Sequence, residues 1–336
     1  MADLNVNSIG DASGGNTTTI NTFTPTVSNM AGRNRIINGD MRIDARNAGA
    51  SVAIPNGTVV FITDRFRFDE NTDGSFSGQQ VTDAPSGFVN SLKLTVTSAD
   101  ASLDAGQYSN LRQFIEGFNV ADLGWGTANA QSATLSFWVK SSLTGTFGGS
   151  LRSSTSDLSY PFTYAISSAN TWEFKTITVA GPTTGTWYTD NSLGLGVIWG
   201  LGVGSTYSGT AGSWQSSNLL SATGATSVVG TNGATFYITG VQLEAGSVAT
   251  PFEHRPYGQE LALAQRYYQI KNWYEAASQA TAIPLSPDMR ASPTVTFSNL
   301  GWGGTPNSVF GASLNWIGVT GAAPVWSAMC SCSSEL

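Results

Sequence analysis

Between Leu193 and Val203 the chain reads LGLGVIWGLGV, with every odd position apolar and every even position glycine except Ile198. Successive side chains of a strand point to opposite faces, so this period of two describes a strand with one large apolar face and one almost bare. A bare face permits close approach by another backbone or a flat ligand. Close packing or a bulge is the expected use, and an open groove for an extended ligand is the alternative. The same alternation recurs at Leu92, Leu94 and Val96 and at Leu135, Phe137 and Val139. In TFYITGVQLEAG, Phe236 and Ile238 share a face until Gly240, where a bulge would shift the phase and let Val241 and Leu243 continue inward. The expected class is all-β.

Composition agrees. A chain of 336 residues has room for two domains with appendages. Only 11% of residues are charged and 38 are glycine, a balance typical of sandwiches and fibres made from short strands. Ten Trp, ten Tyr and 16 Phe argue against disorder, because they supply the apolar surface that offsets chain entropy. A net charge of −7 with 15 Lys and Arg leaves no basic face for nucleic acid. No run of 18 apolar residues and no basic-then-apolar leader is present, so neither membrane insertion nor a signal peptide is expected, and assembly in a cytosol is. Cys330 and Cys332, two apart near the end, are expected as thiols, with an intersubunit contact as the alternative.

Residues 1–33 are too polar to build a core, despite a short apolar beat at Leu4, Val6 and Ile9. Residues 34–256 read as successive strands. After Pro251 and Pro256, GQELALAQRYYQI sets Leu261, Leu263, Tyr267 and Ile270 along helical stripes, which predicts a connecting helix over 257–272. Residues 273–336 return to strand and turn as a small β domain.

Two phrases, NRIINGDMRIDARNAGASV at 34–52 and QLEAGSVATPFEHRPYGQELALAQRYY at 242–268, resemble a group of tailed-bacteriophage virion proteins, the tail-fibre or receptor-binding proteins. The resemblance implies that the phrases bracket a jelly-roll β-sandwich similar to carbohydrate-binding modules. It also implies a homotrimer, an N-terminal arm that binds other virion proteins, and attachment to a host surface glycan. The localisation implied is the virion, assembled in the host cytoplasm. A purely structural virion part (head fibre, capsid decoration or tail adaptor) and a polysaccharide depolymerase are the rival readings.

The side chains favour binding over catalysis. His254, the single histidine, sits between Glu253 and Arg255 in the corner phrase and is expected to pack and pair there, not to act as a base. One histidine and one CxC do not make a zinc site. Two carboxylates could cleave a glycosidic bond without histidine, but no pair among Asp64, Asp69, Glu70, Asp73, Glu116, Asp122, Glu173 and Glu244 stands out. Asp64 is expected to form a charge cluster with Arg65 and Arg67. No cofactor and no metal site is expected; a structural calcium ion would take Glu244, with Asp40 or Asp44. Sugars stack on exposed indole and phenol rings, and Trp125, Trp187, Tyr188 and Trp214 lie in Gly-, Ser- and Thr-rich loops. These four are the carbohydrate-binding candidates; Trp138 and Trp172, in strands, are assigned to structure.

Overall fold

The structure, a computed structural model, describes residues 32–273, 280–299, 306–321 and 328–336, so the arm proper lies outside the described residues. The first strands are β1 (Val52–Ile54), β2 (Val59–Thr63), β3 (Phe66–Asn71), β4 (Ser75–Val81), β5 (Ser91–Ser98) and β6 (Tyr108–Glu116). They continue with β7 (Ala133–Ser141), β8 (Gly145–Ser153), β9 (Ser159–Ile166), β10 (Glu173–Val179) and β11 (Leu193–Val203). Two short pieces, β12 (Ser208–Gly209) and β13 (Ser221–Ala222), precede β14 (Thr235–Ala245).

Two six-stranded sheets result, ordered β1-β4-β5-β14-β7-β10 and β2-β3-β6-β11-β8-β9, and the named pairings within them are antiparallel. The chain crosses repeatedly from one sheet to the other, which is the jelly-roll arrangement. Inward positions of both sheets are large and apolar. Phe66, Phe68, Leu111, Val197 and Trp199 meet Leu92, Leu135, Phe137, Phe236 and Ile238, all fully buried. Trp199 stands edge-on to Phe137 at 5.7 Å near the centre.

The expected bulge in β14 is present: the register against β7 shifts between Thr239 and Gln242, and Val241 and Leu243 are fully buried beyond it. The bare face of β11 is closely packed. A Cβ at Gly196 would lie 3.2 Å from the Phe114 ring, and one at Gly200 would lie 2.7 Å from Ser221.

The two phrases at 34–52 and 242–268 form one structural unit. Asn34 Nδ2 donates to Val241 O (3.0 Å), while Asn34 Oδ1 accepts from the N–H groups of Ile36 (2.9 Å) and Leu243 (3.1 Å). Asn38 Nδ2 donates to Ile43 O and Asp64 O. Arg255 is buried with Glu260 at 3.1 Å and donates to Ile36 O at 3.1 Å. A buried guanidinium is tolerated there because its carboxylate partner and backbone acceptors are in place.

The helix is shorter than the expected 257–272. Helix α1 spans Tyr257–Gln265, and Tyr268–Trp273 is a strand, β15. The run YYQI is aromatic and β-branched, and it gains a ladder partner, so pairing overrides the helical stripe. Ala264 and Tyr267 are fully buried with Ile37 and Ile43, Leu261 and Leu263 are partly buried there, and Ile270 is exposed.

The C-terminal part adds β16 (Ala280–Pro284), β17 (Thr294–Asn299), β18 (Pro306–Ala312), β19 (Trp316–Gly321) and β20 (Ala328–Ser333). They form two three-stranded sheets, β15-β20-β17 and β16-β19-β18, around Ile283, Leu285, Met289, Ile317 and Val319. Cys330 and Cys332 are buried free thiols in that core, their sulfurs 3.9 Å apart.

Candidate functional site

Because Leu135, Phe137 and Val139 of β7 point inward, Ser136 and Trp138 point out. Phe174 of β10 is the direct cross-strand partner of Trp138, and the two rings lie 5.4 Å apart at 50°. Phe174 is 45% exposed, an unusual position for a large ring on a sheet face. On the other side of Trp138 is β14, whose bulge at Gly240 has φ +60°. A Cβ at Gly240 would sit 2.7 Å from Phe88 Cζ and 3.1 Å from Trp138 Cδ1, so glycine admits both rings over the bulge.

Phe88 comes from a turn closed by its own N–H to Pro85 O at 3.1 Å. The corner at Pro251 supplies Phe252 and His254, so Phe88, Phe252 and His254 form a compact trio. Centroid distances are 5.1 Å for Phe88–Phe252, 5.5 Å for Phe88–His254 and 4.9 Å for Phe252–His254. Together with Ser86, Ser136, Thr250 and Pro251, these rings line a half-open groove of about 330 Å³. Among the described residues, the Trp138 indole N–H and the His254 ring nitrogens have no hydrogen-bond partner. An apolar trough with a few unspent polar groups is the usual make-up of a ligand cleft. Trp138 is therefore a strand residue whose ring also lines the groove, and His254 lies exposed in the groove wall.

Of the four loop aromatics selected from sequence, the structure brings three together. Trp125, Trp187 and Trp214 meet edge-to-face at 5.0, 5.5 and 5.6 Å. Each indole N–H is spent on a backbone carbonyl: Trp125 on Gln131 (2.7 Å), Trp187 on Thr184 (3.1 Å) and Trp214 on Ala180 (2.8 Å). Trp125 is buried, while Trp187 and Trp214 are half-buried. Tyr188 is exposed and joins none of the ring contacts; its backbone N–H donates to Ser154 Oγ. The triad thus has the saturated geometry of a loop corner.

The charged candidates are also placed. Asp64 pairs with neither Arg65 nor Arg67; it lies 3.5 Å from Arg46, while Arg65 reaches Glu335 and Arg67 reaches Asp69. Asp64 and Arg65 form the turn between β2 and β3, with Arg65 at φ +74°, so the backbone reversal sends their side chains to different partners. Burial pushes the Asp64 carboxyl up to about 7 despite Arg46. Glu244 is buried and accepts from Thr250 N (2.8 Å), Thr250 Oγ1 (2.6 Å) and Gln242 Nε2 (2.9 Å), so donors hold the oxygens a calcium ion would need. Among the described residues no group of three or more His, Cys, Asp or Glu gathers where a metal ion could be held.

Comparison with known proteins yields no matching family model and no matching curated protein. Among solved structures, the chain is similar to the enzymatically active domain of tailspike protein 4 from bacteriophage CBA120, with 15% identity and a TM-score of 0.32. That alignment covers 63% of this chain and 21% of the other, so the chain spans about a fifth of its length. A family 11 carbohydrate-binding module from a Clostridium thermocellum cellulosomal cellulase aligns at 12% identity and a TM-score of 0.28, covering 62% of this chain and 99% of the module.

Proposed function

We propose that this protein binds carbohydrate without cleaving it, through the groove formed by Trp138, Phe174, Phe88, Phe252 and His254. The observation that carries the reading is an open, ring-lined groove whose polar groups are not spent on the protein: the Trp138 N–H and the His254 nitrogens have no protein partner among the described residues. Pyranose rings present apolar C–H faces to such rings and hydroxyls to such nitrogens. The groove wall contains no carboxylate, whereas glycosidic cleavage ordinarily takes two.

The biological setting follows from the resemblance of the two framing phrases. The protein would be a bacteriophage virion component, a trimeric tail fibre that attaches to host surface polysaccharide. Its arm would dock on other virion proteins, and it would assemble in the host cytoplasm. Several weak sugar sites on one particle raise avidity by about 10² to 10⁴ without strong single-site chemistry.

The test is titration of the oligomer with neutral fragments of the host polysaccharide, using Trp138→Ala and Phe174→Ala. Each variant should weaken binding by about 1–3 kcal/mol with the melting temperature nearly held. Unchanged affinity in both variants would refute the groove, and release of reducing ends from the polysaccharide would refute the non-catalytic reading.

A further inference from the structure

The outer face of the second sheet carries an uncompensated positive charge. Arg67 of β3 and Arg112 of β6 are cross-strand partners. Arg152 of β8 is two strands over, opposite Gly196 of β11. All three guanidinium groups surround the Phe114 ring, at 5.1, 5.6 and 6.0 Å from its centroid. Phe114 can lie across β11 because Gly196 has no side chain.

Among the described residues only one carboxylate pairs with any of the three cations. Asp69 accepts from Arg67 at 2.7 and 2.9 Å and from Arg112 Nη2 at 2.7 Å. Arg112 Nε donates to Asn110 Oδ1 (2.7 Å) and Arg152 Nη1 to Asn218 Oδ1 (2.7 Å). Neither amide oxygen carries a charge, so the cluster keeps two net positive charges. Arg112 and Arg152 are 5% and 7% exposed, and burial lowers the proton affinity of both.

Two buried donors are left over. Among the described residues Arg152 Nε and the Asn110 amide Nδ2 have no hydrogen-bond partner, and Asn110 is fully buried. Buried donors on an unpaired charge are costly unless something supplies acceptors and negative charge. Around the cluster, the side chain of Arg67 is 23% exposed, Tyr108 is half-buried, and Asn218, which accepts from Arg152, is exposed.

We propose that this cluster binds the carboxylate of an acidic sugar residue, held by Arg152, Asn110 and Arg112 on the face opposite the aromatic groove. A carboxylate offers a planar pair of acceptors that matches the guanidinium fork, which a neutral hydroxyl does not. The choice of a sugar as carrier rests on the carbohydrate reading above, but the site itself is independent of the aromatic groove.

The experiment measures thermal stabilisation and titration of the intact oligomer with three probes: oligogalacturonate, the same oligomer with its carboxyls methyl-esterified, and sodium sulfate. Oligogalacturonate should raise the melting temperature of Trp138→Ala, in which the aromatic groove is disabled, and its methyl ester should not. Arg152→Gln should leave the ligand-free melting temperature equal or higher, since an unpaired charge is removed, and should weaken oligogalacturonate binding at least tenfold. Arg152→Lys, which keeps the charge but loses the fork, should fall between. Stabilisation by sulfate alone, equal binding of ester and acid, or full binding by Arg152→Gln would each overturn the proposal. Trp138→Ala should keep the oligogalacturonate response, so a failure of the aromatic groove is distinguishable from a failure here.

Discussion

Gly240→Ala tests the central geometric claim, that the bulge in β14 exists to bring Phe88 and Trp138 together over the sheet. Two costs follow from the structure. Gly240 has φ +60°, where an added Cβ costs about 1–2 kcal/mol. The new methyl would also lie 2.7 Å from Phe88 Cζ and 3.0 Å from Phe88 Cε1, and relief requires that ring to move. Overpacking of this kind costs about 1–3 kcal/mol. The sum is about 2–5 kcal/mol.

Gly224 separates the two contributions. It has φ +79°, and a Cβ there would have no atom within 4 Å, so Gly224→Ala carries the backbone cost alone. Urea denaturation followed by circular dichroism should rank wild type above Gly224→Ala and Gly224→Ala above Gly240→Ala. In a Phe88→Ala background the steric part should shrink, leaving Gly240→Ala close to Gly224→Ala. Titration with neutral oligosaccharide should show weaker binding in Gly240→Ala and none of that loss in Gly224→Ala. Equal destabilisation by the two single substitutions would refute the packing argument.

Three other outcomes are expected. Asp64 has its carboxyl pushed up to about 7 from 3.8, so the native state binds more protons than the unfolded chain and stability falls as pH rises through this window. At about 1.4 kcal/mol per unit the loss is on the order of 4 kcal/mol, and Asp64→Asn should flatten the wild-type decline in urea midpoint between pH 4 and 8; identical slopes would contradict it. Leu263→Asp, on the helix face that meets Ile37 and Tyr267, should lower stability by about 1–2 kcal/mol, and an unchanged melting temperature would make α1 a solvated linker. Removal of residues 1–33 should leave a folded oligomer that no longer enters particles, and normal incorporation on immunoblots of purified virions would refute an anchoring arm.

The sandwich was legible because its strands alternate cleanly. Leu92, Leu94, Leu135, Phe137 and Leu195 each announce an inward face by period two, and all are fully buried. The helix end was not legible. YYQI satisfies a helical stripe as well as a strand, and the decision belongs to β20, more than 50 residues later, which pairs with it. The Asp64 cluster failed for the same reason: Arg46 and Glu335, its neighbours in space, are remote in sequence.

The groove was half legible, and the missing half has a physical cause. Trp138 and Phe174 both stand at outward positions of alternating strands, and an aromatic residue facing out is the signal that sequence offers. A loop position looked more suggestive for Trp125, Trp187 and Trp214, because loops usually carry binding residues. Yet an indole offers its N–H to a ligand only if no protein acceptor takes it, and in a loop the nearest acceptors are the loop's own carbonyls. Gln131, Thr184 and Ala180 take those three protons. A sheet face differs, because its carbonyls are already committed to the ladder and run parallel to the surface. An aromatic side chain standing outward there is left with an unspent N–H, as Trp138 is. Hydrogen-bond saturation, not loop membership, therefore distinguishes Trp138 from the three loop tryptophans, and it cannot be read without the pairing of β7 with β10 and β14.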